Sequence, residues 1–202
     1  MEDLNQKAEL KDTEGNPAKP IRWECSCLQG KCGACAMLIN EMPGLACDTK
    51  LGADTGETIE LMPLQKFPVV EDLVVDRKVM FENLKNLQVW LEDKIEISLE
   101  KAEEVSEASR CLQCGCCLEI CTSFYPGDEF AGTASLVPMA RLMGNLPKPQ
   151  EKRMEKAYRR YFFEGCKKYN ACHHICPAEI DIAKLMAHTD AAMAASEIKK
   201  EI

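Results

Sequence analysis

Apolar residues follow two patterns along the chain, and the change between them divides it. Before about residue 76 they come in short runs, "CAMLIN" and "TIELMPL", with the length and composition of strands. The turn-rich segments "EMPG" and "GADTG" separate them. Met1, Leu4 and Ala8 stand at helical spacing in a polar opening segment that runs to about Asp12. This is a weak helix, and "TEGNPAKP" breaks it, because Gly15, Pro17 and Pro20 punctuate the backbone. From Asp76 onward the period becomes helical. Asp76 is placed to cap a helix whose Met80, Leu84, Leu87 and Leu91 line one face as core residues. Further helices are predicted at 98–110, 135–144, 150–163 and 180–193, interrupted by "PGDEFAG" and "LPKP". The pattern predicts an α+β chain of two units, residues 1–75 with short strands and residues 76–202 mostly helical, each able to bury a modest core.

Composition narrows the function. A formal charge of −8 opposes binding to nucleic acid or to an anionic membrane surface, both of which need basic patches. A protein partner stays open. No apolar run approaches the ~20 residues of a membrane helix. The start "MEDLNQKAEL" lacks signal-peptide architecture, so a soluble chain in a reducing compartment is expected. Thirteen cysteines in 202 residues fall below the roughly 8–10% of a disulfide scaffold. Metal-ligand chemistry is the better reading.

Three cysteine motifs carry that chemistry. Cys27, Cys32, Cys35 and Cys47 form C-x4-C-x2-C with a distant fourth cysteine, the spacing of a plant-type [2Fe–2S] cluster. Gly30 and Gly33 let the loop curl so that backbone amides can point at sulfur. Cys25 in place of Cys27 would widen the first gap to six residues and is expected to be a non-ligand. Zinc is the competing metal, but zinc sites favour paired short C-x2-4-C arms and only one is present here. In "CLQCGCCLEIC", Cys111, Cys114, Cys117 and Cys121 form the bacterial ferredoxin run, with Thr122 where a proline usually follows. In such proteins the fourth cysteine serves the other cluster.

The third motif, "CKKYNACHHICP", has cysteines at 166, 172 and 176, then Pro177, with Tyr169 in the second slot. Exchange of fourth cysteines assigns Cys111, Cys114, Cys117 and Cys176 to a [4Fe–4S] cluster and leaves Cys121, Cys166 and Cys172. That trio suits a [3Fe–4S] cluster with Tyr169 over the vacant corner. The alternative is that Tyr169 is a packed aromatic and that water or another residue holds a fourth iron. Cys25 and Cys116 remain as buried bystanders. His173 and His174 stand outside the ligand set. Lys148, Lys152, Arg153, Lys156, Arg159 and Arg160 form a basic stretch, either a solvated helix face or a docking surface for an acidic partner.

The ordered combination resembles the iron–sulfur subunit of succinate dehydrogenases and fumarate reductases, from about Arg22 to Met193. It rests on "CLQGKCGACAMLIN" with the later "LAC", on "FPVVEDLVVD", on "CLQCGCCLEIC" and on C-x5-C-x3-CP. The resemblance implies a [2Fe–2S] β-grasp ferredoxin-like domain followed by an α-helical ferredoxin domain with [4Fe–4S] and [3Fe–4S] clusters. It further implies a FAD-containing partner subunit at which succinate and fumarate interconvert, and a membrane-anchor subunit with quinone. The chain would relay electrons without substrate catalysis of its own, in the cytoplasm at the inner face of the membrane through its partners. Two departures stand out. Where the best-known members carry a proline, then tryptophans, and later a histidine near quinone, this chain has Thr122, "SFYP" and Lys167, which implies a divergent anchor. The hairpin that normally precedes the first helix is also expected to be missing. Other readings stay open: a standalone ferredoxin-type carrier, a subunit of a thiol-linked fumarate reductase or glycolate-oxidase-like enzyme, or a zinc-stabilised interaction module.

Overall fold

The computed structural model of the chain describes residues 1, 5–6, 9–52 and 58–198. Residues 2–4 and 7–8 of the expected opening helix and most of "GADTG" lie outside these residues; Lys11 is instead in an antiparallel bridge with Pro17, so the helix does not run to Asp12. Strands come first. β1 (Ala36–Ile39) pairs antiparallel with β2 (Met42–Leu45), Ala36 opposite Leu45, and on its other side with β3 (Leu61–Met62). Central β1 is almost wholly buried, as a strand flanked on both sides should be. Its turn into β2 is only Asn40–Glu41, both at positive φ, the geometry of a two-residue hairpin. "EMPG" is therefore mostly strand rather than turn. Pro43 is tolerated there because β2 is an edge strand. A second hairpin pairs β4 (Val69–Glu71) with β5 (Val74–Val75) around Asp72.

Helices follow. α1 (Lys78–Asn86) starts where the Asp76 carboxylate accepts the Lys78 N–H at 2.8 Å. Met80 and Leu87 are buried, but Gln88 at positive φ ends the helical course, so Leu91 falls outside α1 and is exposed. α2 (Leu99–Ser109) matches its prediction to within a residue at each end. The short α3 (Cys116–Glu119) follows Gly115 at φ +93. α4 (Thr133–Leu142) is the centre of the helical part: Thr133, Ala134, Ser135, Leu136, Val137, Met139 and Ala140 are all buried, and α1, α2, α3, α5 and α7 pack around it. α5 (Lys148–Tyr158) runs into a π-helical turn (Arg159–Phe163), and α6 (Ala171–His174) and α7 (Ile182–Ile198) complete the order. "LPKP" thus starts a helix, with Pro149 in its first turn, where a missing N–H costs nothing.

The basic stretch is partly spent within the molecule. Arg153 pairs with Glu92 and Arg160 with Glu129, while Arg159 and Arg160 lie over the rings of Phe163 and Tyr161. Buried Tyr158 donates to Asp190 at 2.6 Å, tying α5 to α7, and Asp190 pairs with Lys168 at 3.0 Å.

The strand and helical parts share one core. Leu64 and Phe67 are buried against Gly115, where an added Cβ would meet the Phe67 ring at 3.2 Å. The Glu119 carboxylate accepts the N–H groups of Gln65 at 3.0 Å and Lys66 at 3.1 Å, and the Lys66 ammonium donates to the Cys121 carbonyl.

Leu136→Ala, in the middle of α4 at 0% exposure, should destabilise the protein by about 2–5 kcal/mol. Phe81→Ala, on the exposed face of α1, should change it by less than about 0.5 kcal/mol. Chemical denaturation of the two variants checks both.

Candidate functional site

The first thiol set sits on a loop with few regular backbone bonds of its own. Leu28, Gly30 and Gly33 take positive φ there, which turns amides inward. Cys27 Sγ accepts the N–H groups of Gln29 at 3.4 Å and Lys31 at 3.3 Å, Cys47 Sγ that of Gly30 at 3.2 Å, and Cys35 Sγ that of Cys47 at 3.5 Å. Cys35 and Cys47, at the two ends of the β1–β2 hairpin, bring their sulfurs to 3.3 Å. The amides of Gln29 and Lys31 hold the Cys27 thiol down to about 7, whereas burial pushes Cys35 up to about 11. Cys25 is exposed, which corrects the expectation that it is buried.

The other two sets interleave. Cys176, nearly sixty residues after Cys117 in sequence, lines one cavity with Cys111, Cys114 and Cys117, closed by Val137, Ile180 and Ile182. Cys121 faces away from its own run and lines a second cavity of about 350 Å³ with Cys166, Cys172, Thr133 and Met186. Burial, then neighbouring thiolates, raises Cys111, Cys117, Cys166 and Cys172. Cys116, buried as expected, keeps its proton and donates it to Cys114, which that bond lowers to about 7. Tyr169 lines the second cavity from its rim and is 74% exposed, so its phenol is not enclosed there. His173 lies 3.6 Å from Asp181, His174 is exposed, and neither lines either cavity.

These cavities fit polynuclear clusters better than single ions. Among the described residues, no three His, Cys, Asp or Glu side chains are drawn together as ligands of one metal ion. The donors are instead thiols spaced around enclosed apolar space, with backbone amides aimed at sulfur, the surroundings iron–sulfur clusters use.

Two supports escaped the sequence reading. Pro138 lies inside α4 and has no N–H to donate, so the Ala134 carbonyl one turn back is released. Gln113 Nε2 takes that carbonyl at 2.9 Å and stands 3.2 Å from Cys111 Sγ, which ties the second motif to the central helix. A proline within an otherwise helical pattern was the available signal. The second support is a close approach: a Cβ on Gly33 would lie 2.8 Å from the Leu112 carbonyl and 2.9 Å from Cys114 Cβ. The loops of the first and second sets touch there.

Comparison with known proteins accords with this geometry. Residues 4–82 match the family model of a 2Fe-2S iron-sulfur cluster binding domain, and residues 107–180 that of a 4Fe-4S dicluster domain. The fumarate reductase iron-sulfur subunit of Wolinella succinogenes is 30% identical over 183 residues, covering 83% of this chain and 75% of the relative. The succinate dehydrogenase iron-sulfur subunit of Bacillus subtilis is 30% identical over 187 residues, covering 87% and 73%. In a solved structure described as the Mycobacterium smegmatis Sdh1 complex in the apo form, one chain shares the fold at a TM-score of 0.70 and 24% identity, over 88% of this chain and 79% of that one. A 2Fe-2S ferredoxin domain followed by a dicluster domain defines an iron–sulfur electron carrier. The chain belongs to the family of iron–sulfur subunits of fumarate reductases and succinate dehydrogenases, which are parts of oxidoreductase complexes.

In the folded chain freed of metal, Cys27 should react with iodoacetamide at pH 7 on the order of a hundredfold faster than Cys35, because only the thiolate attacks and the lower basicity of Cys27 offsets only part of its larger thiolate fraction. The Cys27 rate should level off about one pH unit above 7 while that of Cys35 keeps rising; peptide mass spectrometry follows both. Gly33→Ala should lower the denaturation midpoint more than Gly127→Ala. Both pay the left-handed backbone penalty of about 1–2 kcal/mol, but an added Cβ at Gly127 meets nothing within 4 Å.

Proposed function

We propose that this chain relays single electrons between a FAD-containing partner subunit and a quinone site on a membrane-anchor subunit, in a complex that interconverts succinate and fumarate. Residues 1–75 would hold a [2Fe–2S] cluster through Cys27, Cys32, Cys35 and Cys47. Residues 76–202 would hold a [4Fe–4S] cluster through Cys111, Cys114, Cys117 and Cys176, and a [3Fe–4S] cluster through Cys121, Cys166 and Cys172. The observation that carries the reading is the crossing of the two helical-domain sets, with Cys176 in the cavity of the second motif and Cys121 in that of the third.

The clusters supply reversible one-electron acceptors; the protein's own residues do the rest. The Gln29, Gly30 and Lys31 amides stabilise negative charge on sulfur. Gly33 lets the first loop reach Leu112 and Cys114, shortening the path between the first two sites. Thr133 donates to Cys172, and Lys66 holds the backbone at Cys121. No helix among the described residues is long and apolar enough to cross a membrane. By its likeness to the relatives above, the chain would sit at the inner face of the cytoplasmic membrane through its partners.

Stepwise reduction of the intact complex, followed by electron paramagnetic resonance, should give an oxidised-state signal from [3Fe–4S] and, on reduction, signals from [2Fe–2S] and then [4Fe–4S]. Two species or fewer would break the assignment, and abundant zinc with little acid-labile sulfide would point to an interaction module. Cys176→Ser should damage the [4Fe–4S] centre before the [3Fe–4S] centre. Tyr169→Cys completes a four-cysteine run, so the oxidised-state signal should vanish and iron should rise by about one per protein.

A further inference from the structure

Arg77 stands where the two parts of the molecule meet, and nothing in the cysteine pattern points to it. It occupies the residue before α1, and its side chain is 15% exposed. Nη2 donates to the Ala34 carbonyl at 3.1 Å and the Ala36 carbonyl at 3.3 Å, the peptide oxygens on either side of Cys35. Nη1 pairs with Glu24 Oε2 at 3.0 Å. The third nitrogen, Nε, is buried without a hydrogen-bond partner. The loop it holds is the one whose Gly33 lies against Leu112 and Cys114, so the guanidinium sits at the contact between the first and second thiol sets. A guanidinium stays ionised at any pH the protein meets, so its charge is a permanent feature of the contact between the two loops.

Burial of such a group has to be offset. One carboxylate answers it, and Glu24 is partly exposed at 41%, which weakens that pairing by solvent screening. The other negative charge at this junction would be that of the thiolate sites themselves, at Cys35 in the loop Arg77 holds and at Cys114 across the Gly33 contact. A lysine would place a point charge here but could not span Glu24 and both carbonyls, because it lacks the planar fork.

We propose that Arg77 is a positioning residue for electron transfer: a fixed cation that clasps the loop around Cys35 where that loop meets Cys114, and stabilises the reduced state of the two clusters beside it. The inference rests on the ligand assignment proposed above. Each reduction adds one negative charge to a site, and a nearby cation favours the more negative state, which raises the midpoint potential. The [3Fe–4S] site, whose Cys121, Cys166 and Cys172 line a separate cavity that Arg77 does not border, serves as an internal reference.

The test is a redox titration of the intact complex, monitored by electron paramagnetic resonance, with each cluster read separately. In Arg77→Met the [4Fe–4S] and [2Fe–2S] midpoints should fall while the [3Fe–4S] midpoint stays. Arg77→Lys should restore most of the [4Fe–4S] midpoint, since the charge returns. Equal shifts in the methionine and lysine variants, or unmoved midpoints with all clusters present, would overturn the proposal. Should Arg77→Met fail to assemble, Glu24→Gln decides it: this change leaves the guanidinium on its carbonyls and removes its counter-charge, so the [4Fe–4S] midpoint should rise, and a fall or no change would overturn the proposal. Wild-type complex lacking the three signals would instead refute the ligand assignment, an outcome readable before any variant is made.

Discussion

Thiols crowded into small apolar spaces resist ionising, and they resist it more as their neighbours ionise. Burial and neighbouring thiolates lift Cys111, Cys117, Cys166 and Cys172 above the range of a free thiol. Thiolates at these positions therefore need compensating positive charge. Iron supplies it in the cluster reading, which links assembly of the clusters to the stability of the fold. The rest of the molecule can be understood as what holds mutually repelling sulfurs in place.

The backbone does much of this. Positive φ at Leu28, Gly30 and Gly33 aims amides at the first thiol set. In the helical part the same end is met from a distance: Pro138 releases a carbonyl in a buried helix, Gln113 takes it, and Cys111 is held. Side-chain charge is used sparingly. Arg77 and Lys66 are two of the cations set against the thiol-bearing loops, one at the junction of the first two sites and the other beside Cys121.

The junction between the parts matters as much as the parts. Gly33 against Leu112 and Cys114, Phe67 against Gly115, and Glu119 under the amides of Gln65 and Lys66 lock the loop of one to the short helix of the other. An electron carrier built from two units needs such a seam, because a loose one would lengthen the step between them.

Cysteine spacing alone determined a great deal here. Two residues between cysteines, as in the first two motifs, is a property of a tight local loop, so the cluster chemistry of those motifs could be read without a fold, and so could the course of α2. Local pattern was weaker where context intervened. "EMPG" read as a turn because Pro and Gly disfavour strands, yet an edge position accepts both. Leu91 continued a helical stripe that Gln88 had already ended, and Cys25 looked apolar but lies on the surface. Only the tertiary structure decided which carbonyl Gln113 would find, that Tyr169 would stand at a cavity rim, and that Arg77 would lie between two thiol loops. Each of these joins residues twenty or more positions apart, or turns a side chain toward or away from solvent. Periodicity and spacing report on neighbours in the chain, whereas these outcomes depend on how the strand and helical parts pack together.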